Sequence, residues 1–147
     1  MNEIKQGHGH FEKCQSYNRV LINGLHHVRR HTHANHHIDR ISNWYVLGGL
    51  VNMLDEPYFN FDPKSVILAD FKHKVNDDFC RKNWEDIKNQ SENVHYFYAS
   101  CATGAYYYTL MTKGYGISPH KTLHRYNSKV DLGWSVGALL IHGQNKE

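Results

Sequence analysis

Long runs of any one residue kind are missing from this chain. No apolar stretch approaches the roughly 18–20 residues that span a bilayer, and the first 20 residues lack the apolar core of a signal peptide. Lysine and arginine never gather into a long run. The net charge of +3 is mild and scattered, which argues against a nucleic-acid partner. The three cysteines, Cys14, Cys80 and Cys101, stand in neither C-x-x-C nor zinc-finger spacing, which argues against a zinc framework built on cysteine. Their odd number leaves one thiol over in an oxidising compartment. There is no G-x-S-x-G nucleophile elbow, no P-loop and no G-x-G-x-x-G; Gly7 and Gly9 make only a G-x-G. On its face this is a soluble chain, or a piece of a larger one.

What remains is a chain of 147 residues, 40% apolar and 13% aromatic, with ten tyrosines. That is enough for one ordinary packed domain. Six of its thirteen histidines fall in His26–His37. His27/His31 and His33/His37 are i, i+4 pairs, and on a helix each pair presents two ligands to one zinc, copper or nickel ion. But Arg29 and Arg30 repel a dication, no apolar stripe holds a helix in place, and there is no H-E-x-x-H. The plain reading is a solvated loop that binds metal adventitiously, as histidine tags do; a physiological metal or pH-sensing role is the alternative.

Residues 1–40 read as loop, with one short strand or helix near Tyr17–Ile22. In "SNWYVLGGLVNML" the apolar positions Trp44, Leu47, Leu50, Val51 and Leu54 give a helical stripe, capped by Ser42. Asp62-Pro63 is a helix-start signal, followed by Val66, Ile67, Phe71 and Val75. A second helical stretch carries Phe79, Cys80, Trp84 and Ile87. "VHYFYAS" reads as a short strand or a turn into the next helix, "CATGAYYYTLMTKG" as a helix stopped by Gly114. Ser118-Pro119 repeats the helix start, "TLHRYNSKV" looks extended, and "GWSVGALLIHG" closes the chain as an apolar helix. The chain is thus mainly helical with a few short strands, lacking regular strand–helix alternation. Asp77/Asp78 and Glu85/Asp86 diverge around a helix and read as solvated faces. The aromatic clusters Trp44-Tyr45, Tyr96-Phe97-Tyr98 and Tyr106-Tyr107-Tyr108 are either core or a platform for a planar ligand.

Four pieces, taken in order, resemble one family. "GHGHFEKC" is similar to the G-x-G-x-F/Y-x-x-C segment of the apyrases, the ecto-nucleoside triphosphate diphosphohydrolases and their Golgi nucleoside diphosphatase relatives. "NGL" resembles the N-G-V/I that comes after it. "FCRKNWEDIK", with "SC" placing Cys101 twenty-one residues after Cys80, resembles a family helix and its partner cysteine. "KGYGI" and "VDLGWSVGALL" resemble the closing turn and the terminal helix motif.

The resemblance implies an α/β fold: part of the second lobe of an actin-like (RNase H-like) two-lobed architecture, with 1–40 a histidine-rich, loop-rich segment and 41–147 a helical C-terminal lobe. It covers roughly the last third of a family member. It implies metal-assisted hydrolysis of nucleoside di- and triphosphates with Ca2+ or Mg2+ in the parent enzyme, and a secretory lumen, Golgi or cell-surface setting. The family's phosphate loops, catalytic base and metal-binding acids lie upstream, so no catalytic residue is assigned here. The isolated chain is expected to bind no metal as cofactor and to be inactive. The family's base clamp falls nearest Tyr45 and Tyr96, Cys80–Cys101 corresponds to a bridged pair, and Cys14 is left over. Two other readings compete: a non-catalytic remnant that binds a nucleotide, a partner subunit or itself through an exposed lobe face around Trp134–Ile141, and a histidine-rich metal carrier using His27, His31, His33 and His37.

Overall fold

The computed structural model describes residues 9–33, 41–91 and 94–126. Its longest helix, α7 (Ser100–Thr109), continues as a π-helical segment, Leu110–Gly114. Gly104, Ala105, Tyr108 and Thr109 are buried on it. Small residues let neighbours come close: a Cβ on Gly104 would lie 2.6 Å from Val75 and 2.8 Å from Met53. The Thr109 hydroxyl donates back to the Ala105 carbonyl at 2.6 Å, so this polar group needs no partner outside the helix.

Two N-terminal helices pack against α7 and its π-helical continuation. The first, α1 (Phe11–Arg19), runs on into the π-helical Val20–Leu25. The short α2 (Val28–His33) comes next. Helix thus covers Phe11–Leu25 and Val28–His33, well beyond the one short strand or helix near Tyr17–Ile22 that the sequence suggests in an otherwise loop-like segment. The reason lies in tertiary packing: Phe11 is fully buried and meets Tyr108 edge-on at 5.9 Å, and Ile22 is buried too. Two anchors so far apart along a polar segment leave no continuous stripe to read. The patch helix α2 is held by the Thr32 hydroxyl, which donates to the Gly114 carbonyl at 3.0 Å.

A strand replaces the first half of the expected "SNWYVLGGLVNML" helix. β1 (Trp44–Val46) precedes α3 (Gly49–Leu54). Gly48, with φ 65°, makes the break between them; this left-handed backbone suits glycine and no side chain competes for it. After a 3-10 turn at Pro57–Phe59, Asp62 does cap, accepting from the backbone N–H groups of Lys64 and Ser65. The element it opens is β2 (Ser65–Ile67), with the helix α4 (Leu68–His73) delayed to the next residue. β3 (Thr122–Arg125) is extended as expected. It lies between the others, parallel to β1 with Trp44 opposite Leu123, and antiparallel to β2 with Val66 opposite Leu123. Pairing with β3 across the fold overrides the local helical pattern. Ser118-Pro119 forms a turn rather than a helix start, its carbonyls taking the N–H groups of Ala69 and Lys121. The helix stop expected at Gly114 belongs to Gly116, at φ 76°; Gly114 instead lets Ile22 and Val28 approach. "GWSVGALLIHG", with the lobe face around Trp134–Ile141, lies outside the described residues.

α4 continues into a π-helical segment, Lys74–Cys80. Its Cys80 is bridged to Cys101 at the start of α7, with Cα atoms 5.2 Å apart. Around this bridge Phe59, Phe61, Phe71, Phe79 and Phe97 form one ring-on-ring core, with centroids 4.9 Å apart for Phe79 and Phe97. α5 (Trp84–Ile87), capped by the Asn83 side chain, closes it from outside. α6 (Val94–Phe97) makes "VHYFYAS" the helical turn into α7.

This packing makes two predictions for stability. Gly104→Ala is expected to lower unfolding free energy by about 1–3 kcal/mol through overpacking against Val75 and Met53, even though alanine favours helix; urea unfolding measures it, and a more stable variant would refute the close packing. Replacing Cys80 and Cys101 together by serine is expected to cost about 3 kcal/mol on the loop-entropy model, read by the same titration, with unchanged stability refuting the bridge.

Candidate functional site

Two clefts open beside α3. The larger, of about 430 Å³, is lined by Gly49, Asn52 and Met53 from α3, by Glu56 just beyond it, by Tyr96 on α6, by Ala99 just before α7, and by Ser100, Thr103 and Tyr107 along α7. Ser100, Thr103 and Tyr107 share a helical face at i, i+3, i+7 spacing. The smaller, of about 160 Å³, lies where β1 meets α3 and is mostly apolar: Trp44, Tyr45, Leu47, Leu50, Met111 and Tyr115 border it.

The two candidate base-clamp residues thus border different clefts. Tyr45 is on β1 rather than on a helix. It is 61% exposed, and its ring leans on His124 at 5.5 Å. Tyr96 is 78% exposed at the edge of the larger cleft. Tyr107 lines the same cleft, a ring the sequence offered only as part of a tyrosine run. A Cβ on Gly49 would overlap the Tyr107 hydroxyl, so the glycine at the start of α3 is what lets this ring lie against the helix. Burial, and then the neighbouring Tyr106, push the Tyr107 phenol above its ordinary range.

Glu56 supplies the charge of the larger cleft. Its backbone is extended, as the next residue, Pro57, requires. Its Oε2 accepts from the Ser91 hydroxyl at 3.1 Å. Its Oε1 is buried and has no hydrogen-bond partner among the described residues. No motif flagged Glu56; the only trace of its role in the sequence is a carboxylate held rigid before a proline.

The remaining charged candidates sit elsewhere. Asp77 pairs with His73 at 2.6 Å and with Arg81 at 3.2 Å along one helical face, and Asp78 accepts the Tyr58 hydroxyl at its carbonyl. Glu85 pairs with Lys88. His27 and His31 are exposed. His27 precedes α2 with φ 50°, so it does not continue that helix's face. The His33 side chain and His37 lie outside the described residues. Among the described residues no three histidine, cysteine or carboxylate side chains gather where they could share a metal ion. This donor set does not fit the divalent cation that the resemblance implies. Cys14 is a half-buried free thiol.

Three phenols, Tyr108 buried and Tyr58 and Tyr107 half-buried, are expected to limit the fold at alkaline pH. Tyr58, Tyr107 and Tyr108 are all raised, each chiefly by burial. In the unfolded chain they ionise near pH 10, about the ordinary tyrosine value. Above that pH the folded chain holds more protons than the unfolded one, so stability present below about pH 10 is lost as pH rises through the folded pKa values. Phenolate absorbance and helical circular dichroism recorded together should show the last phenols ionising as helix is lost; complete ionisation with the helix intact would refute it.

The model of the GDA1/CD39 (nucleoside phosphatase) family matches residues 2–147, nearly the whole chain. No curated protein matches it. The match runs through the glycine-bearing N-terminal segment, the bridged cysteines and both clefts, and by its extent the chain belongs to the GDA1/CD39 nucleoside phosphatase family.

Proposed function

We propose that this chain contributes the nucleobase wall of a nucleoside di- or triphosphate hydrolase, as part of the second lobe of an actin-like fold, and that the larger cleft receives the base. The observation that carries this reading is the pairing of the family match with a cleft bounded by two tyrosines, Tyr96 and Tyr107, and edged by polar side chains. Its volume of about 430 Å³ falls within the roughly 300–1,000 Å³ of small-molecule sites. The Tyr45 cleft, at about 160 Å³, is too small for a base with its ribose.

Within this reading the chain's own residues bind and orient. Tyr96 offers an exposed ring face on which any base can stack, and Tyr107 lines the same cleft. Ser100, Thr103 and Asn52 present hydroxyl and amide groups to the ribose or the base edge. Phosphate chemistry needs backbone N–H loops and a base-activated water. None of the 147 residues carries such a loop pattern, so these parts are assigned to other residues of the enzyme, together with the Ca2+ or Mg2+ that the parent reaction uses. A secretory lumen or the cell surface suits the Cys80–Cys101 bridge.

The test has two readouts. Calorimetric titration with nucleoside monophosphates should show Tyr96→Ala weakening every base alike, by about tenfold, because stacking is tolerant of base identity. Phosphate release from ATP, UDP and GDP by the pure chain, with calcium or magnesium, should stay at background. Tyr96→Ala binding as well as wild type would remove the cleft from the reading, and metal-dependent phosphate release by the chain alone would overturn the division of labour.

A further inference from the structure

Thirteen asparagines occur in the chain, and one of them stands two residues before a serine or threonine: Asn89-Gln90-Ser91. N-x-S/T, with x other than proline, is the triplet that an oligosaccharyltransferase accepts, and it marks a surface loop in a secreted protein. Two observations separate this triplet from a chance match. It sits in the turn that follows α5, with Asn89 and Gln90 exposed. It also lies inside the loop closed by the Cys80–Cys101 bridge, whose partners are 21 residues apart. Disulfides form and persist in oxidising compartments such as the lumen of the secretory route, where such triplets are modified.

We propose that Asn89 carries an N-linked glycan, attached before this part of the chain folds. This rests on the secretory setting given to the parent enzyme above. In the transfer, the Asn89 side-chain nitrogen bonds to the anomeric carbon of a lipid-diphosphate-linked oligosaccharide. The bond from that carbon to the diphosphate oxygen breaks, its electron pair leaves with the lipid diphosphate, and one amide proton passes to solvent. No oxidant or reductant takes part. The product is a bulky, solubilising group that belongs on the surface. Asn89 lines neither cleft, so the glycan is rooted outside both.

The folded turn accounts for the order of events. The transferase requires the serine hydroxyl of the triplet. In the folded chain Ser91 is half-buried, and its hydroxyl donates to Glu56 Oε2 at 3.1 Å, a partner 35 residues earlier. The Gln90 backbone N–H donates to the Ile87 carbonyl at 2.9 Å, and its side-chain amide to the Asp86 carbonyl at 3.2 Å. Once folded, the triplet is wound back onto α5 with its serine engaged; it is an open acceptor only before those bonds form. Ser91 thus has two successive uses. It marks Asn89 in the nascent chain and then holds Glu56 in the finished one.

Two experiments test this. In the first, the full chain is translated behind a cleavable leader into endoplasmic-reticulum microsomes, and the protease-protected fraction is analysed. Wild type should give one slower band that peptide-N-glycosidase removes, converting Asn89 to aspartate in the mass spectrum. Asn89→Gln and Ser91→Ala should each lose the band, and Ser91→Thr should keep it. Protected wild type without the band, or a band that survives in Asn89→Gln, would overturn the site. Cys80→Ser combined with Cys101→Ser, which cannot close the loop, should be modified at least as fully as wild type; a lower yield would overturn the order of events. In the second experiment, the protein is isolated from its own cells with free thiols blocked, and the peptides bearing Asn89, Cys80 and Cys101 are read by mass spectrometry. The expected result is a bridged chain with modified Asn89. A bridged chain with bare Asn89 sinks the glycan alone and leaves the secretory setting standing. Reduced cysteines with bare Asn89 sink the secretory setting, and the glycan with it.

Discussion

Close approach to α7 is the constraint on which the rest of the structure depends. α1, α3 and α4 with its π-helical extension all pack on this one helix. They reach it because its inner face is cut back at Gly104 and Ala105. Val75 and Met53 occupy the space that a side chain at position 104 would fill. With a larger residue there, α3 moves outward and the wall shared by both clefts moves with it. The site is therefore a by-product of core packing: the outer face of α7 lines the cleft because its inner face is small enough to be buried.

The small sheet sets the other boundary. Leu123 on β3 faces both Trp44 and Val66, tying the segment before α3 to the segment before α4. Arg125 reinforces this from the end of the central strand: it pairs with Asp55 and donates to the Asp62 carbonyl at 3.3 Å. Because Asp55 immediately precedes Glu56, the ion pair steadies the cleft's carboxylate from behind. The ion pair at the end of the central strand and the charge in the cleft meet on adjacent residues, Asp55 and Glu56.

Local chemistry was legible in the sequence, but not its destination. Asp62 reads as the cap of a helix start; the two N–H groups are satisfied as a cap requires, yet the element that follows is a strand, because pairing with β3 takes Ser65–Ile67. Trp44 and Leu47 fit a helical stripe, but Gly48 in the left-handed region divides them from α3, and only a distant strand decides what Trp44–Val46 become. The family was readable from spaced glycines, cysteines and aromatics, since such positions answer to backbone and bonding needs that a sequence displays. Tyr96 stood out as an aromatic near a cysteine. Glu56 did not, because what sets it apart is a buried oxygen with no partner among the described residues, a property of the fold and not of a residue type. The same holds for Phe11 and Ile22, two anchors in a segment whose average polarity hides them.

Gly9 gives the N-terminal segment a further role. A Cβ there would lie 2.9 Å from the Cys101 sulfur and 3.1 Å from the Cys80 carbonyl, so the chain just before α1 lies over the bridge like a shutter. Thiol exchange needs a line of attack on a sulfur. While Phe11 stays seated, that line is closed on this side; it opens when α1 lifts away. The lifetime of the bridge in a reducing solution is thus tied to local opening of a neighbouring helix, and a glycine that carries no chemistry of its own becomes the guard of the chain's one cross-link among the described residues.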